Sequence, residues 1–172
     1  MGWLIVLLAL LSASAGALQS RWPRLAPWLL AAGPGAALVW LFLQIPAVTA
    51  GQFPETVSEW VPAWGLELAF RLDGLGLLLG LLVTGIGVLI VLYGSAYFEE
   101  QPVYRTRFFT LILLFMAAMF GLAVADDVIL FFLFWELTSI TSFLLIGFKH
   151  KEESAREAAQ QALIITAGGG LA

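Results

Sequence analysis

The 172-residue sequence has no cysteine and a single histidine, His150. Without thiols, disulfides, iron–sulfur clusters and thiolate metal sites are excluded, and one imidazole cannot build a haem or zinc centre alone. The chain is therefore expected to hold no metal and no redox cofactor, and to carry no cofactor site on which an enzyme could run. Charge is scarce as well: 12% of residues are Asp, Glu, Lys or Arg, against about 25% in an ordinary soluble domain. Eight basic residues against twelve acidic ones leave no surplus for a nucleic-acid partner. What abounds is apolar surface. Hydrophobic residues make up 61% of the chain and the mean hydropathy is +0.96, so the expected fold class is all-α, a polytopic membrane helix bundle in a lipid bilayer.

Trp3 to Leu18 is the first apolar run. Ala13-Ser14-Ala15 imitates a signal-peptide cleavage site, but no Lys or Arg precedes the run while Arg21 and Arg24 follow it, the reverse of the signal-peptide charge order. It reads as an uncleaved first helix. Pro23 and Pro27 break the chain before a second run, Trp28 to Val48, in which Gly33-Pro34-Gly35 is expected to kink the helix or mark its true start. Thr49 to Asp73 is too charged to span. With Glu55, Glu59, Glu67, Pro54, Pro62, Trp60 and Trp64 it reads as an ordered cap at the membrane surface, with tryptophans at headgroup depth. Leu66 to Asp73 alternates as a strand would, but a hairpin and a short amphipathic helix both remain open.

Leu75 to Phe98 forms the third span, with Gly76, Gly80 and Thr84 recurring on one face as a small-residue stripe for close helix packing. The loop Glu99 to Arg107, flanked by Tyr97 and containing Tyr104, leads to a fourth span, Phe108 to Ala125, where Ala117, Ala118 and Gly121 are available for packing. Asp126-Asp127 turns tightly into the fifth span and supplies a helix cap. Lys149 to Glu157 reads as a solvated mixed-charge loop, and Ala158 opens a sixth apolar helix too short to cross before Ala172. On that ground the chain reads as the front part of a longer polypeptide. Seven of the eight Lys and Arg fall in the first, third and fifth loops. The positive-inside rule then puts those loops in the cytoplasm and the N-terminus outside.

The fifth span, Asp126 to Phe148, is opened by two aspartates and has one carboxylate, Glu136, in its middle. If Val128 to Phe148 is one helix, Glu136 lies roughly 12 Å below its start, near the middle of a hydrocarbon core about 30 Å thick. An ionisable group there costs about 2.5–3.5 kcal/mol, which makes it a functional candidate. Burial disfavours the charged carboxylate and a nearby cation favours it, so a group held between the two can load and release a proton. Glu136 is the candidate proton-translocating residue, with Ser139, one turn on, and Thr138 as supporting hydroxyls; Phe132, Leu133, Ile140 and Phe143 share its face. The plainer alternative is a protonated glutamate that only joins two helices.

Phe134-Trp135-Glu136-Leu137-Thr138-Ser139, preceded by Asp126-Asp127, resembles the antiporter-like subunits of the respiratory complex I and Mrp superfamily, as do Arg71-Leu72-Asp73-Gly74-Leu75 and Tyr93-Gly94-Ser95-Ala96-Tyr97. The resemblance covers essentially the whole chain. It implies that Glu136 pairs with a lysine on a later, broken helix within a chain of buried ionisable groups. It also implies a division into an N-terminal extension of three transmembrane helices (1–107, with the cap at about 49–73) and the start of the first antiporter-like repeat (108–172). Ile164 to Gly170 lacks the arginine and aspartate that complex I versions tend to carry, so the sequence looks more like the A subunit of an Mrp-type antiporter. Implied partners are further membrane subunits, H⁺ and Na⁺, in a bacterial cell membrane. A proton-pumping arm of a redox complex and a non-transporting scaffold are the alternatives, and neither Na⁺ nor K⁺ is defined by the residues present.

Overall fold

The computed structural model describes residues 1–61, 66–98, 102–149 and 151–170. Pro62, Trp64, Glu99, His150 and Ala172, named above, lie outside the described residues. Six helices and one hairpin follow in order: α1 (Gly2–Arg21), α2 (Ala26–Thr49), β1 (Glu55–Val61), β2 (Leu66–Arg71), α3 (Gly74–Tyr97), α4 (Pro102–Val124), α5 (Val128–Ile146), and α6 (Glu153–Gly170). A 3₁₀ turn, Gly147–Lys149, follows α5. Among the described residues, α1 to α5 are long and apolar enough to cross a membrane. The bundle of five spans followed by a sixth helix is the architecture expected from hydropathy.

Several boundaries differ from the sequence reading for local reasons. Proline at a first helical turn costs nothing, since its missing N–H would be unpaired there anyway. α2 accordingly starts at Ala26, ahead of Pro27, and runs unbroken through Pro34 and Pro46. The Gly33-Pro34-Gly35 stretch is thus neither a start nor an interruption of the helix. Gly33 instead provides space for a neighbour: a Cβ there would collide with Leu11 of α1. α4 likewise begins at Pro102, so Tyr104 to Arg107 are helical rather than loop. Glu153 to Glu157 also join a helix, α6, whose first turn carries Glu153, where an acidic residue complements the helix dipole.

α4 is the most enclosed of the five spans. It packs on α1, α3 and α5, while α2 lies mainly on α3 and α5 carries α6. Phe109, Leu113, Ala118 and Phe120 of α4 are fully buried. Ser12 of α1 donates to the carbonyl of Thr110, 2.7 Å away, and Arg105 Nε donates to Gln19 Oε1 at 3.0 Å, fixing the register of the two helices with polar bonds. The stripe on α3 lies where its spacing predicts. Gly76, Gly80 and Thr84 are all buried, and the Thr84 hydroxyl is satisfied by the Gly80 carbonyl at 2.7 Å.

The cap is a hairpin. β1 and β2 pair antiparallel, from Glu55 opposite Arg71 to Val61 opposite Leu66, with an irregularity between Glu59 and Val61. It lies at the end of the bundle where α1, α3 and α5 begin and α2 and α4 finish. Phe70 of β2 enters a cluster with Met1, Val48, Leu72, Val124 and Leu130, drawn from the chain ends that meet there. Burying an aromatic ring of this size stabilises by about 1.5–3 kcal/mol, ample to hold a two-stranded ribbon that is marginal alone.

A Cβ on Gly76 would stand 2.8 Å from the backbone oxygen of Ala123, a contact no side-chain motion relieves, whereas one on Gly85 would meet only Leu38 Cδ1 at 3.7 Å. Gly76→Ala is therefore expected to destabilise the bundle by about 1–3 kcal/mol and Gly85→Ala to leave it unchanged. Thermal melting of the two variants in the purified membrane protein checks this, and equal melting temperatures would refute the close α3–α4 approach.

Candidate functional site: a carboxylate within the bundle

α5 is set in place from its first turn. Asp127 is its N-cap, and its carboxylate accepts hydrogen bonds from the amides of Ile129 and Leu130 at 2.9 and 3.0 Å. These bonds satisfy two of the four amides that a helix start leaves free. Asp126 has a different task. Its carboxylate pairs with Arg71 at 2.9 Å, and its amide donates to the Ala69 carbonyl at 2.9 Å, so β2 is tied directly to the α4–α5 turn. Sequence alone suggests one capping role for the aspartate pair; the structure divides the work between them. The ion pair with Arg71 is not legible in the sequence, because a whole stretch of chain, α3 and α4 included, separates the partners.

No glycine or proline interrupts Val128–Ile146. Glu136 follows Val128 by eight residues, which places it about 12 Å along the helix. α5 is held close to α4 by Gly121, where a Cβ would collide with the Phe134 ring. Phe134 also lies 6.2 Å, centroid to centroid, from Phe70 of the hairpin. On the outward side Phe131, Phe132, Leu133 and Ile140 are exposed. Glu136 sits at the margin between that apolar face and α6. The residue is half-buried, but its Oε1 is fully enclosed and has no hydrogen-bond partner among the described residues.

Ser139 and Thr138 do not supply that partner. Ser139 Oγ and Thr138 Oγ1 both donate to the Trp135 carbonyl, at 3.1 and 2.7 Å, and Thr141 Oγ1 donates to the Leu137 carbonyl at 2.8 Å. This corrects the expectation that Ser139 reaches the carboxylate. In an apolar helix the carbonyl three or four residues back is the nearest acceptor, and a hydroxyl bonded there is no longer oriented toward a side chain one turn away. The hydroxyls near Glu136 are thus satisfied by the backbone of α5.

Two further groups at the site are absent from the sequence-based expectation. Trp135 Nε1 is buried and, like Glu136 Oε1, has no partner among the described residues. Both atoms face Gly170 of α6: a Cβ on Gly170 would stand 2.7 Å from Trp135 Nε1 and 3.1 Å from Glu136 Oε1. The adjacency of Trp135 and Glu136 is visible in the sequence, but helix geometry sets neighbouring residues about 100° apart, which gives no reason to bring their polar atoms together. Among the described residues no three His, Cys, Asp or Glu side chains cluster as metal ligands.

Comparison with known proteins defines the class. Residues 125–172 match the family described as NADH:quinone oxidoreductase/Mrp antiporter, TM, and residues 60–109 match NADH-Ubiquinone oxidoreductase (complex I), chain 5 N-terminus. The chain belongs to the antiporter-like membrane subunits of that superfamily. Within it, the sequence corresponds to the N-terminal part of the A subunit of Mrp-type complexes. It is 40% identical to the Na(+)/H(+) antiporter A1 subunit of Staphylococcus aureus over 84% of this chain and 18% of the relative. A Rhizobium meliloti protein, named as a probable K(+)/H(+) antiporter A/B subunit, is 48% identical over 73% of this chain and 13% of its own length. The solved Mrp complex from Dietzia sp. DQ12-45-1b contains a chain that superposes with a TM-score of 0.83 at 31% identity, over 98% of this chain and 18% of that one. The chain thus spans less than a fifth of the length of each of these proteins.

Removing the α5 cap tests the local construction. Asp127→Ala is expected to cost about 1 kcal/mol of stability and Asp127→Asn much less, because asparagine still accepts from the two amides. Equal loss in both variants on thermal melting would show that charge, not capping, matters at Asp127.

Proposed function

We propose that the chain forms part of the membrane subunit of a multisubunit cation/proton antiporter, and that Glu136 is a carboxyl through which protons pass. The observation that carries this reading is the enclosed, unpartnered Oε1 of Glu136 in the body of a membrane-spanning helix. Lipid offers no hydrogen bond, so a buried polar atom of this kind is costly without a partner, and an ionisable group kept at that cost marks a functional position. Its position agrees with the glutamate that the superfamily resemblance assigns to the proton path, where a lysine on a later helix is the implied partner. Thr138 and Ser139 have their hydroxyls satisfied by the Trp135 carbonyl and do not contact the carboxylate.

Further membrane subunits are the proposed partners, in a bacterial inner membrane with the N-terminus and the hairpin outside. The orientation rests on the basic residues: Arg21, Arg24, Arg107, Lys149, Lys151 and Arg156 all lie at the end of the bundle opposite the hairpin. The relatives' names give Na⁺ for one and K⁺ for the other. Na⁺ is the proposed cation on the name of the Staphylococcus aureus relative, since the residues present do not select it over K⁺. The names of these relatives favour antiport over the proton-pumping arm of a redox complex, and the enclosed carboxylate favours transport over a passive scaffold.

Glu136→Gln keeps the shape and removes the exchangeable proton. In everted vesicles carrying the intact complex it is expected to reduce sodium-dependent proton exchange by about a hundredfold or more without reducing assembly. Exchange at the wild-type rate would remove Glu136 from the proton path.

A further inference from the structure

A cavity of about 890 Å³ opens at the end of the bundle opposite the hairpin, where the end of α3, the first turn of α4 and the α5–α6 turn meet. Aromatic rings from all three places form its wall. Phe148 lies 5.6 Å from Phe98 and 5.8 Å from Tyr104, centroid to centroid, and Tyr97 stands edge-on to Phe98 at 4.8 Å. The charged groups on the lining are Lys149, Lys151 and Glu152. Glu152 pairs with Lys149 at 3.4 Å, while Lys151 makes no ion pair among the described residues. The lining residues thus carry two positive charges against one negative.

The apolar side of the cavity continues along the membrane span. A second cavity, of about 190 Å³, shares Tyr97 and Phe98 with the first and reaches Tyr93, Gly94 and Phe108. Tyr93 and Tyr97 stack on the surface of α3 with centroids 6.0 Å apart. Leu82, Ile86 and Leu89 are exposed on the same face farther into the span, at helical spacing of three and four residues. A cationic mouth therefore opens onto an apolar track that runs toward the hydrocarbon. A soluble anion would use the lysines and leave the track empty; a phospholipid uses both.

We infer that this cavity is a headgroup site for a monoanionic phospholipid, with Lys149 and Lys151 taking the phosphodiester and the Tyr93 and Tyr97 face of α3 carrying an acyl chain. Basic pockets between membrane helices recognise lipid headgroups in this way, and a lysine meets phosphate as a mobile point charge. The excess of one positive charge on the lining matches one phosphodiester. The volume falls within the range of about 300–1,000 Å³ usual for small-molecule sites. Tyrosines at its edge suit headgroup depth, where an apolar ring and a polar hydroxyl are both accommodated. A lipid seated there touches α3, α4 and the α5–α6 turn together, and so ties the turn that carries α6 to the rest of the bundle. The site does not depend on the role of Glu136, nor on which side of the membrane this end meets.

The test uses the intact complex in nanodiscs of phosphatidylcholine holding a trace of phosphatidylglycerol with a photoreactive diazirine near its glycerol. Irradiation is expected to label Tyr97, Phe98 or Tyr104, located by peptide mass spectrometry. Replacing both lysines, Lys149→Gln with Lys151→Gln, should lower the yield at those residues on the order of tenfold. Arg24→Gln removes a cation at the same end of the bundle but outside the cavity, and should leave the yield unchanged. Unlabelled phosphatidylglycerol should displace the probe, and soluble glycerol 3-phosphate should not. Displacement by glycerol 3-phosphate would assign the lysines to a soluble phosphate and overturn the lipid site. Equal labelling by the matching phosphatidylcholine probe would reduce it to ordinary lipid contact and overturn it as well. No adduct at these residues, in a complex labelled elsewhere, would show that protein fills the cavity. Should the double lysine variant fail to assemble, the two probes on the wild-type complex decide.

Discussion

A carboxylate deep in a bilayer obtains every partner from protein or trapped water, because hydrocarbon offers none. That constraint explains what surrounds Glu136. α5 must be continuous there, so its interior lacks glycine and proline and its first turn is capped by Asp127. The neighbouring hydroxyls need acceptors that lipid does not offer, and Thr138, Ser139 and Thr141 all donate to carbonyls of their own helix. α6 comes close enough to enclose the carboxylate oxygen, and the glycine at position 170 permits that approach. The result is two enclosed polar atoms without partners among the described residues, Glu136 Oε1 and Trp135 Nε1, in a helix whose hydroxyls are satisfied.

The hairpin serves the same end from a distance. Its Arg71 pairs with Asp126, its Ala69 carbonyl takes the Asp126 amide, and its Phe70 ring approaches Phe134, two residues before Glu136. The ion pair is partly exposed and contributes little stability by itself. Its value is geometric: with the ring contact and the backbone bond it gives the start of α5 three separate attachments to β2. Phe134 in turn fits the space that Gly121 leaves on α4. A movement of the hairpin would therefore reach α5 through packed rings and a backbone bond rather than through a flexible loop.

The spans are legible in the sequence because apolar runs of about twenty residues have few alternatives in water or lipid. The α3 stripe is equally plain, since residues four apart share a helix face. Helix ends are less so. Pro27 and Pro102 look like breakers but suit a first turn, and Glu153 to Glu157 look like loop but favour a helix start. At the site, Glu136 stands out by its cost. The destination of the Ser139 hydroxyl does not, because hydroxyl-to-backbone and hydroxyl-to-carboxylate bonds require the same residue at the same spacing. Arg71 with Asp126, and Gly170 with Trp135, are pairings made by tertiary approach, and no periodicity within one element announces them.

The central claim, that Glu136 gains and loses a proton within the membrane, is open to direct chemical observation. A lipid-soluble carbodiimide reacts with protonated carboxyls in apolar surroundings, and its adducts can be located by mass spectrometry in the intact complex. The predicted result is an adduct on Glu136 and a loss of exchange in proportion to it. A Glu136 that stays unmodified, or exchange that continues unchanged once it is modified, would contradict a proton-carrying role.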